Sequence, residues 1–169
     1  VTADRDIPAE ISISPIAPSD IDAVRSLHKA AWVELAGASH SDQQNQAHLS
    51  LIDSDEYANA LLSNNLLLAR NGSAELLATA GWCPHDTGTA IARIRKVFVR
   101  PNTAGTGLGR HIVEAAEQIA KEAGFKSFFV RANANAEGFY ARLGYTFIER
   151  GEMPAGGVAL PVVFMEKRL

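Results

Sequence analysis

The chain has little that could cross-link it or hold it in a bilayer. Cys83 is the one cysteine in 169 residues, which excludes an intrachain disulfide and any zinc site built on cysteine ligands. Long hydrophobic runs are absent. The longest, Gly157 to Met165, is interrupted by Pro161 and falls far short of the roughly 20 apolar residues that span a bilayer. Neither sign of charge dominates: sixteen Lys and Arg stand against nineteen Asp and Glu, a formal charge of −3. That excludes a protein whose main task is to coat nucleic acid. The opening Val-Thr-Ala-Asp-Arg-Asp has no apolar stretch of the secretory kind. The expectation is a cytoplasmic protein with neither membrane nor nucleic acid as partner.

What is present is enough for a packed core: 47% of residues are apolar and 21% charged. The length suits one domain, expected over residues 10–169 behind a flexible tail at 1–9. Glu10 to Ser14 alternates with the period of a half-buried strand. Ser19 is placed to cap a helix, with Asp22 three residues on. That helix carries Ile21, Val24, Leu27, His28, Ala31 and Leu35 on one face and stops at Gly37. Residues 38–49 are polar and read as a loop or a loosely held helix start. Leu51, Tyr57, Ala58, Leu61 and Leu62 mark a second helix. Strands follow at Leu66 to Arg70, Leu76 to Cys83 and Ala90 to Val99, the first two joined by the turn signal Asn71-Gly72-Ser73. A helix with Leu108, Ile112, Ala115, Ala116, Ile119 and Ala123 on its apolar face then ends at Gly124. Beyond it come a strand (Phe125 to Ala132), a short helix (Asn135 to Leu143) capped by Gly144, and two strands (Tyr145 to Arg150, Leu160 to Lys167). The pattern predicts an α/β (α+β) fold: a mixed, mostly antiparallel twisted sheet of about seven strands flanked by four main helices.

Two segments carry chemistry. In Val97-Phe-Val-Arg-Pro-Asn-Thr-Ala-Gly-Thr-Gly-Leu-Gly-Arg110 a strand runs through a glycine-rich loop into a helix. Glycines let main chain approach a ligand closely, and the free N–H groups of a helix start bind anions. A phosphate or pyrophosphate is the natural guest of such a loop. A P-loop is excluded because no Lys follows Gly107 or Gly109. A dinucleotide-binding βαβ unit does not fit either, because hairpins precede these glycines and the third is misplaced. The second segment, Asn133-Ala-Asn-Ala-Glu-Gly-Phe-Tyr-Ala-Arg-Leu-Gly-Tyr145, reads Asn-x-x-Ala-x-x-x-Tyr-x-x-x-Gly-aromatic.

In this order the two segments resemble the acetyl-CoA-binding core of the GCN5-related N-acetyltransferase (GNAT) superfamily, over roughly residues 10–169. The resemblance implies an acyl-CoA N-acyltransferase-like fold and direct attack of a primary amine on the thioester of acetyl-CoA. The main chain of Val97, Phe98 and Val99 would pair with the pantetheine amides, and an N–H near Val97 would polarise the thioester carbonyl. Ala104, Gly105, Thr106, Gly107, Leu108, Gly109 and Arg110 would hold the pyrophosphate, and Asn133 would bond the cofactor. Tyr140 would be the general acid for the departing thiolate, since a phenol near pKa 10 is protonated at neutral pH. One departure from the family pattern is Ala104, where Gln or Arg is usual, and Thr106 replaces a common basic residue. Arg100, Arg110 or Lys96 could supply charge from nearby.

No general base stands out. The strand before the loop, residues 90–99, contains no acid; Glu34, His28, His40, His85 and Asp86 are candidates elsewhere. His28 lies on an apolar stripe and reads as a buried, satisfied histidine, whereas His40 and His48 read as solvated. Deprotonating a lysine at pH 7 costs about 4.6 kcal/mol against about 1 for an α-amine, so the expected acceptor is a small, low-pKa amine. Arg93 and Arg95 share one strand face and could grip a carboxylate or phosphate of that acceptor. Trp32 and Trp82 could line its pocket. No metal is expected, and a homodimer is left open. Two alternatives also stay open: a module of the same fold that binds acyl-CoA without turnover, and an acetyltransferase acting on protein N-termini or lysines.

Overall fold

The computed structural model describes residues 10–85 and 90–169. The tail expected at 1–9 and the candidate base Asp86 lie outside them. Seven strands form one sheet: β1 (Ser12–Pro15), β2 (Leu67–Arg70), β3 (Leu76–Pro84), β4 (Ile91–Val99), β5 (Ser127–Asn133), β6 (Thr146–Ala155) and β7 (Val158–Arg168). Their order is β1-β2-β3-β4-β5-β7-β6. Every neighbouring pair is antiparallel except β4 and β5, as the mixed pattern predicts.

The two faces of the sheet bury different helices. On one face α4 (Leu108–Glu122) sets Leu108, Ile112, Val113, Ala116 and Ala120 against Ala78, Ala80, Ile94, Phe128 and Val130. The other face takes α1 (Ile21–Ala31) and α3 (Asp55–Ser63), whose Val24, Leu27, Tyr57 and Leu61 pack with Leu66, Leu68 and Leu76. β2 shows the alternation directly: Leu67 and Ala69 join the first cluster, Leu68 the second. Each fully buried Leu or Ile stabilises the fold by about 1.5–3 kcal/mol relative to exposure. Past α1 the chain continues as a π-helical turn, Trp32–Ala36, that packs Trp32 and Ala36 on Ala155 and Leu160 of the β6–β7 hairpin.

Several expectations are corrected. Ser19 does not cap α1; Asp20 accepts from the Ala17 N–H at 2.8 Å and closes a 3-10 turn, Pro18–Asp20, ahead of the helix. Of the two readings left open for residues 38–49, the helix start is the one found from residue 42 on: α2 (Asp42–Ile52) begins at a reciprocal Ser41–Gln44 capping box. The second helix read from 51 to 62 is therefore two, α2 and α3, the latter capped by Ser54. On α4, Ile119 is 40% exposed while Val113 and Ala120 are buried, so the buried stripe is rotated from the one expected. β6 runs through Gly151 and Pro154 to a tight turn at Gly156-Gly157, both at positive φ. A Cβ on Gly151 would lie 2.4 Å from the Phe164 ring, so a side chain there would have to displace that ring.

Candidate active site

The site begins where the sheet comes apart. The β4–β5 ladder stops at Ile94 and Val130, whereas β4 stays paired with β3 up to Val99 and β5 stays paired with β7 up to Asn133. From Arg95 to Val99, the main-chain groups of β4 that face β5 thus have no strand partner. Such an edge is ready to pair with amides of a ligand.

A bulge sharpens the opening. Thr79 pairs with Phe98 and Gly81 with Arg95, so Lys96 and Val97 together oppose Ala80. Lys96 takes a left-handed conformation, φ +56°, which is strained for a lysine and needs support from outside. A buried chain of hydrogen bonds supplies it. Thr79 Oγ1 donates to the Lys96 carbonyl at 2.7 Å. Its proton being used there, Thr79 accepts from His28 Nε2 at 2.7 Å, and His28 Nδ1 accepts from the Tyr57 hydroxyl at 2.6 Å. Burial, then the charge of Lys96, push His28 well below its ordinary pKa, so the ring is neutral, as this chain requires. His28 is a satisfied core histidine that braces the bulge, not a base.

Two cavities open on either side of the gap. The larger, about 630 Å3, is bounded by Val97, Phe98 and Val99 of β4, by the glycine loop and by the start of α4. Gly107, the N-cap of α4, has φ +87°, and no side chain caps the helix. Its first turn contains no acid, so the free N–H groups and the helix dipole present unopposed positive potential. Gly105 also requires positive φ, +79°, although a Cβ there would touch nothing within 4 Å. Gly109 serves a different end: its Cβ would meet Phe139 at 3.2 Å and Val99 at 3.4 Å, so glycine brings α4 onto β4 and onto α5 (Glu137–Arg142).

Of the residues expected to bind cofactor, Val97, Phe98, Val99, Ala104, Gly105, Gly107, Gly109, Arg110, Asn133 and Tyr140 line this cavity. Thr106 and Leu108 do not: Thr106 Oγ1 is turned to the Thr103 carbonyl at 2.7 Å, and Leu108, the first residue of α4, points into the core and is fully buried. The nearby charge differs from expectation too. Arg100 bonds the Leu76 carbonyl and pairs with Glu75, away from the cavity. Arg110 and Arg142 are the cations on its wall, and Arg110 is shared with Glu114 at 2.9 Å. Trp32 lines this larger cavity while anchored in the core, its Nε1 donating to Asn45. Trp82 lines neither cavity and packs edge-on against Phe125.

The smaller cavity, about 350 Å3, is lined by Arg93 and Arg95 together with Lys96, Arg131, His48 and Glu56. His48 is a correction: it is 7% exposed, stacked on Trp32 at 3.7 Å, and neither ring nitrogen has a hydrogen-bond partner. Burial, followed by Lys96 and His40, lowers its pKa to about 4. The other candidate bases are no better placed. His40 bonds the Ala36 carbonyl through Nδ1, His85 stacks on Phe129, and Glu34 is exposed.

Five residues line both cavities: Val97, Phe98, Asn133, Ala136 and Tyr140. Tyr140 is 6% exposed, wedged edge-on between Phe139 and Tyr145. Its hydroxyl has no hydrogen-bond partner among the described residues. Burial, then the Glu117 carboxylate, raise its pKa above the ordinary 10. Glu117 is itself held by Tyr145 and Lys167, each at 2.8 Å.

A sheet that splays behind a bulge, with a bare helix N-terminus on one side and a cationic cavity on the other, defines a class: acyltransferase-like folds. A family model described as an acetyltransferase (GNAT) domain matches residues 37–169, and the chain belongs to that family. The chain is 24% identical to a GCN5-related N-acetyltransferase of Rhodopseudomonas palustris, with a TM-score of 0.85 over 96% of this chain and 98% of that one. The PaiA N-acetyltransferase of Thermoplasma acidophilum, solved in complex with coenzyme A, superposes with a TM-score of 0.76 at 15% identity, over 94% and 99% of the two chains. Among curated proteins, YyaT of Bacillus subtilis (strain 168), an uncharacterized protein, is 32% identical over 91 residues, 51% of this chain and 60% of YyaT. The chain thus spans less than two thirds of that relative's length. No helix among the described residues is long and apolar enough to cross a membrane.

Proposed function

We propose that the protein is an acetyl-CoA-dependent N-acetyltransferase that acts on the primary amine of a small molecule by direct attack. The observation that supports this reading is the meeting of the two cavities at Val97 and Tyr140, an arrangement that suits a thioester approached by its donor arm from one side and by an acceptor from the other.

The residues of the larger cavity fit coenzyme A. The unpaired edge of β4 matches the pantetheine amides, and the uncapped first turn of α4 with Gly105 and Gly107 matches the diphosphate. Arg110 and Arg142 supply cations where Ala104 supplies none. Acetyl-CoA, when bound, supplies an activated thioester. A main-chain N–H near Val97, held by the bulge, polarises the carbonyl; removing one such donor typically costs on the order of 100- to 1000-fold in rate. The acceptor nitrogen forms its bond to the carbonyl carbon as the carbon–sulfur bond breaks. The sulfur leaves with the electron pair and takes the Tyr140 proton, and the proton shed by the nitrogen restores the phenol. Burial of Tyr140 keeps that proton in place in the resting enzyme. One half-buried free thiol, Cys83, suits a cytoplasmic setting.

The test is release of free thiol from acetyl-CoA against a panel of primary amines, with wild type and Tyr140→Phe. The expected result is turnover with at least one small amine and a loss of about 100-fold or more in kcat for the variant, with CoA affinity kept. Tight CoA binding with no release from any amine would establish the binding module instead. Lysyl peptides outperforming every small amine would overturn the choice of acceptor.

A further inference from the structure

The smaller cavity has a charge balance that its own residues leave unsettled. Arg93, Arg95, Lys96 and Arg131 line it against one carboxylate, Glu56. The register explains the convergence. Arg93 lies opposite Phe129 across the parallel ladder, so Arg95 and Arg131, two residues further along each strand, emerge on the same face where the strands begin to part. None of the four has an ion pair among the described residues. Arg93 Nε is buried without a hydrogen-bond partner, Arg95 has only the Asn64 amide at 3.2 Å, and Lys96 sits over the Tyr57 ring at 3.7 Å.

Cations brought together out of water without counter-charge are unfavourable. Burial and the mutual repulsion of these groups hold Arg93 down at about 10 and Lys96 at about 7. The charged and titratable groups around Lys96 are His28 on α1, His48 on α2, Glu56 and Tyr57 on α3, Arg93 and Arg95 on β4, Arg131 on β5 and Tyr140 on α5; of these only Glu56 is an acid. An arrangement of this kind is relieved by an anion, and the guanidinium fork matches carboxylate and phosphate oxygens in pairs.

We propose that the acceptor is a primary amine that also carries an oxyanion, a carboxylate or a phosphate, which Arg93, Arg95, Lys96 and Arg131 hold in the smaller cavity while the amine reaches toward Val97 and Tyr140. This rests on the transferase reading above and names the acceptor's class. It also accounts for the missing base. Cationic walls disfavour an ammonium ion, so the same charges that hold the oxyanion favour loss of the proton from the amine. The oxyanion brings the molecule in, and the amine becomes nucleophilic where it sits.

The experiment has two arms at constant ionic strength, on the full chain. In the first, thiol release is compared for primary amines of matched amine pKa that carry a carboxylate, a phosphate or neither. The expected result is a kcat/KM at least 100-fold higher for one of the acidic sets, and which set wins distinguishes the two oxyanions. Neutral amines performing as well would overturn the proposal. In the second, inorganic phosphate and glutarate are titrated into CoA-saturated protein, wild type, Arg93→Gln and Arg131→Gln. Two variants on different strands guard against one failing to fold. Saturable binding is expected, weakened at least tenfold more than CoA affinity in either variant. Anion binding that is absent, or equal in all three proteins, would overturn the proposal. CoA affinity is read on the same samples: its absence defeats the transferase reading itself. Oxyanion binding that depends on Arg131, with no turnover of any amine, supports the anion site while defeating transfer.

Discussion

Replacing Thr79 with valine removes one hydroxyl and leaves the shape of the side chain intact. The structure makes that hydroxyl the link between a neutral histidine and a strained carbonyl. Thr79 is fully buried, donates to Lys96 and accepts from His28. Valine leaves both partners unpaired, the His28 Nε2–H at 0% exposure and the Lys96 carbonyl of the bulge. Each orphaned buried group costs about 1–3 kcal/mol, and the added methyl group returns about 0.8 kcal/mol. The net loss is about 1–5 kcal/mol, or a fall in Tm of about 2–20 °C for a chain of this size. Serine keeps the hydroxyl and costs about 1 kcal/mol for the lost methyl. The function should suffer as well, because Val97 follows Lys96 directly and a donor misplaced by an ångström costs on the order of 100-fold. The assay is urea denaturation of wild type, Thr79→Ser and Thr79→Val, with thiol release measured on the same samples. Stability of Thr79→Val within about 0.5 kcal/mol of wild type, at an unchanged rate, would refute the bracing role given to His28 and Thr79.

Acid should weaken the fold by a route that can be traced to His48. Its folded pKa of about 4 lies below the ordinary 6.5, so the unfolded chain binds the proton first. Stability is full above pH 6.5 and falls as the pH drops toward 4, by about 3 kcal/mol from this residue; the buried His28 acts in the same direction. Denaturant midpoints between pH 7.5 and 4.5 check this, and His48→Phe should flatten the slope. Lys96→Met should raise Tm at neutral pH, since it removes a half-buried cation held near pKa 7 by burial and by Arg95, Arg93 and Arg131, while raising KM for the acceptor. A lower Tm with unchanged KM would contradict the charge argument.

The features that the chain displays in its own residues were readable before any coordinates. Gly124 and Gly144 mark helix ends and both take positive φ. The strand face shared by Arg93 and Arg95 and the glycine loop before α4 could be read from the residues alone, and that loop marks the bare helix start. What stayed hidden depends on neighbours distant in sequence. His48 lies in a run of polar residues with no apolar stripe around it, and only the stacking of Trp32 shows it to be buried. Nothing in Arg95-Lys96-Val97 announces a left-handed residue, because the bulge is set by Thr79 and His28, 17 residues or more away. Arg131 could be joined to Arg93 and Arg95 only once β4 and β5 were known to pair in parallel. Ser19 loses the capping role because Pro18 starts a 3-10 turn that runs straight into α1, and the Asp20 carboxylate is taken by the Ala17 N–H.

In the reading proposed above, main-chain groups of β4 and α4 hold the donor and Tyr140 stands at the sulfur. A crystal structure of the complex with acetyl-CoA tests it most directly. The expected complex has diphosphate oxygens at hydrogen-bond distance from the N–H groups between Gly105 and Arg110, pantetheine laid along Val97 to Val99, and the sulfur beside the Tyr140 hydroxyl. A diphosphate bound anywhere else, or a sulfur out of reach of Tyr140, would contradict it.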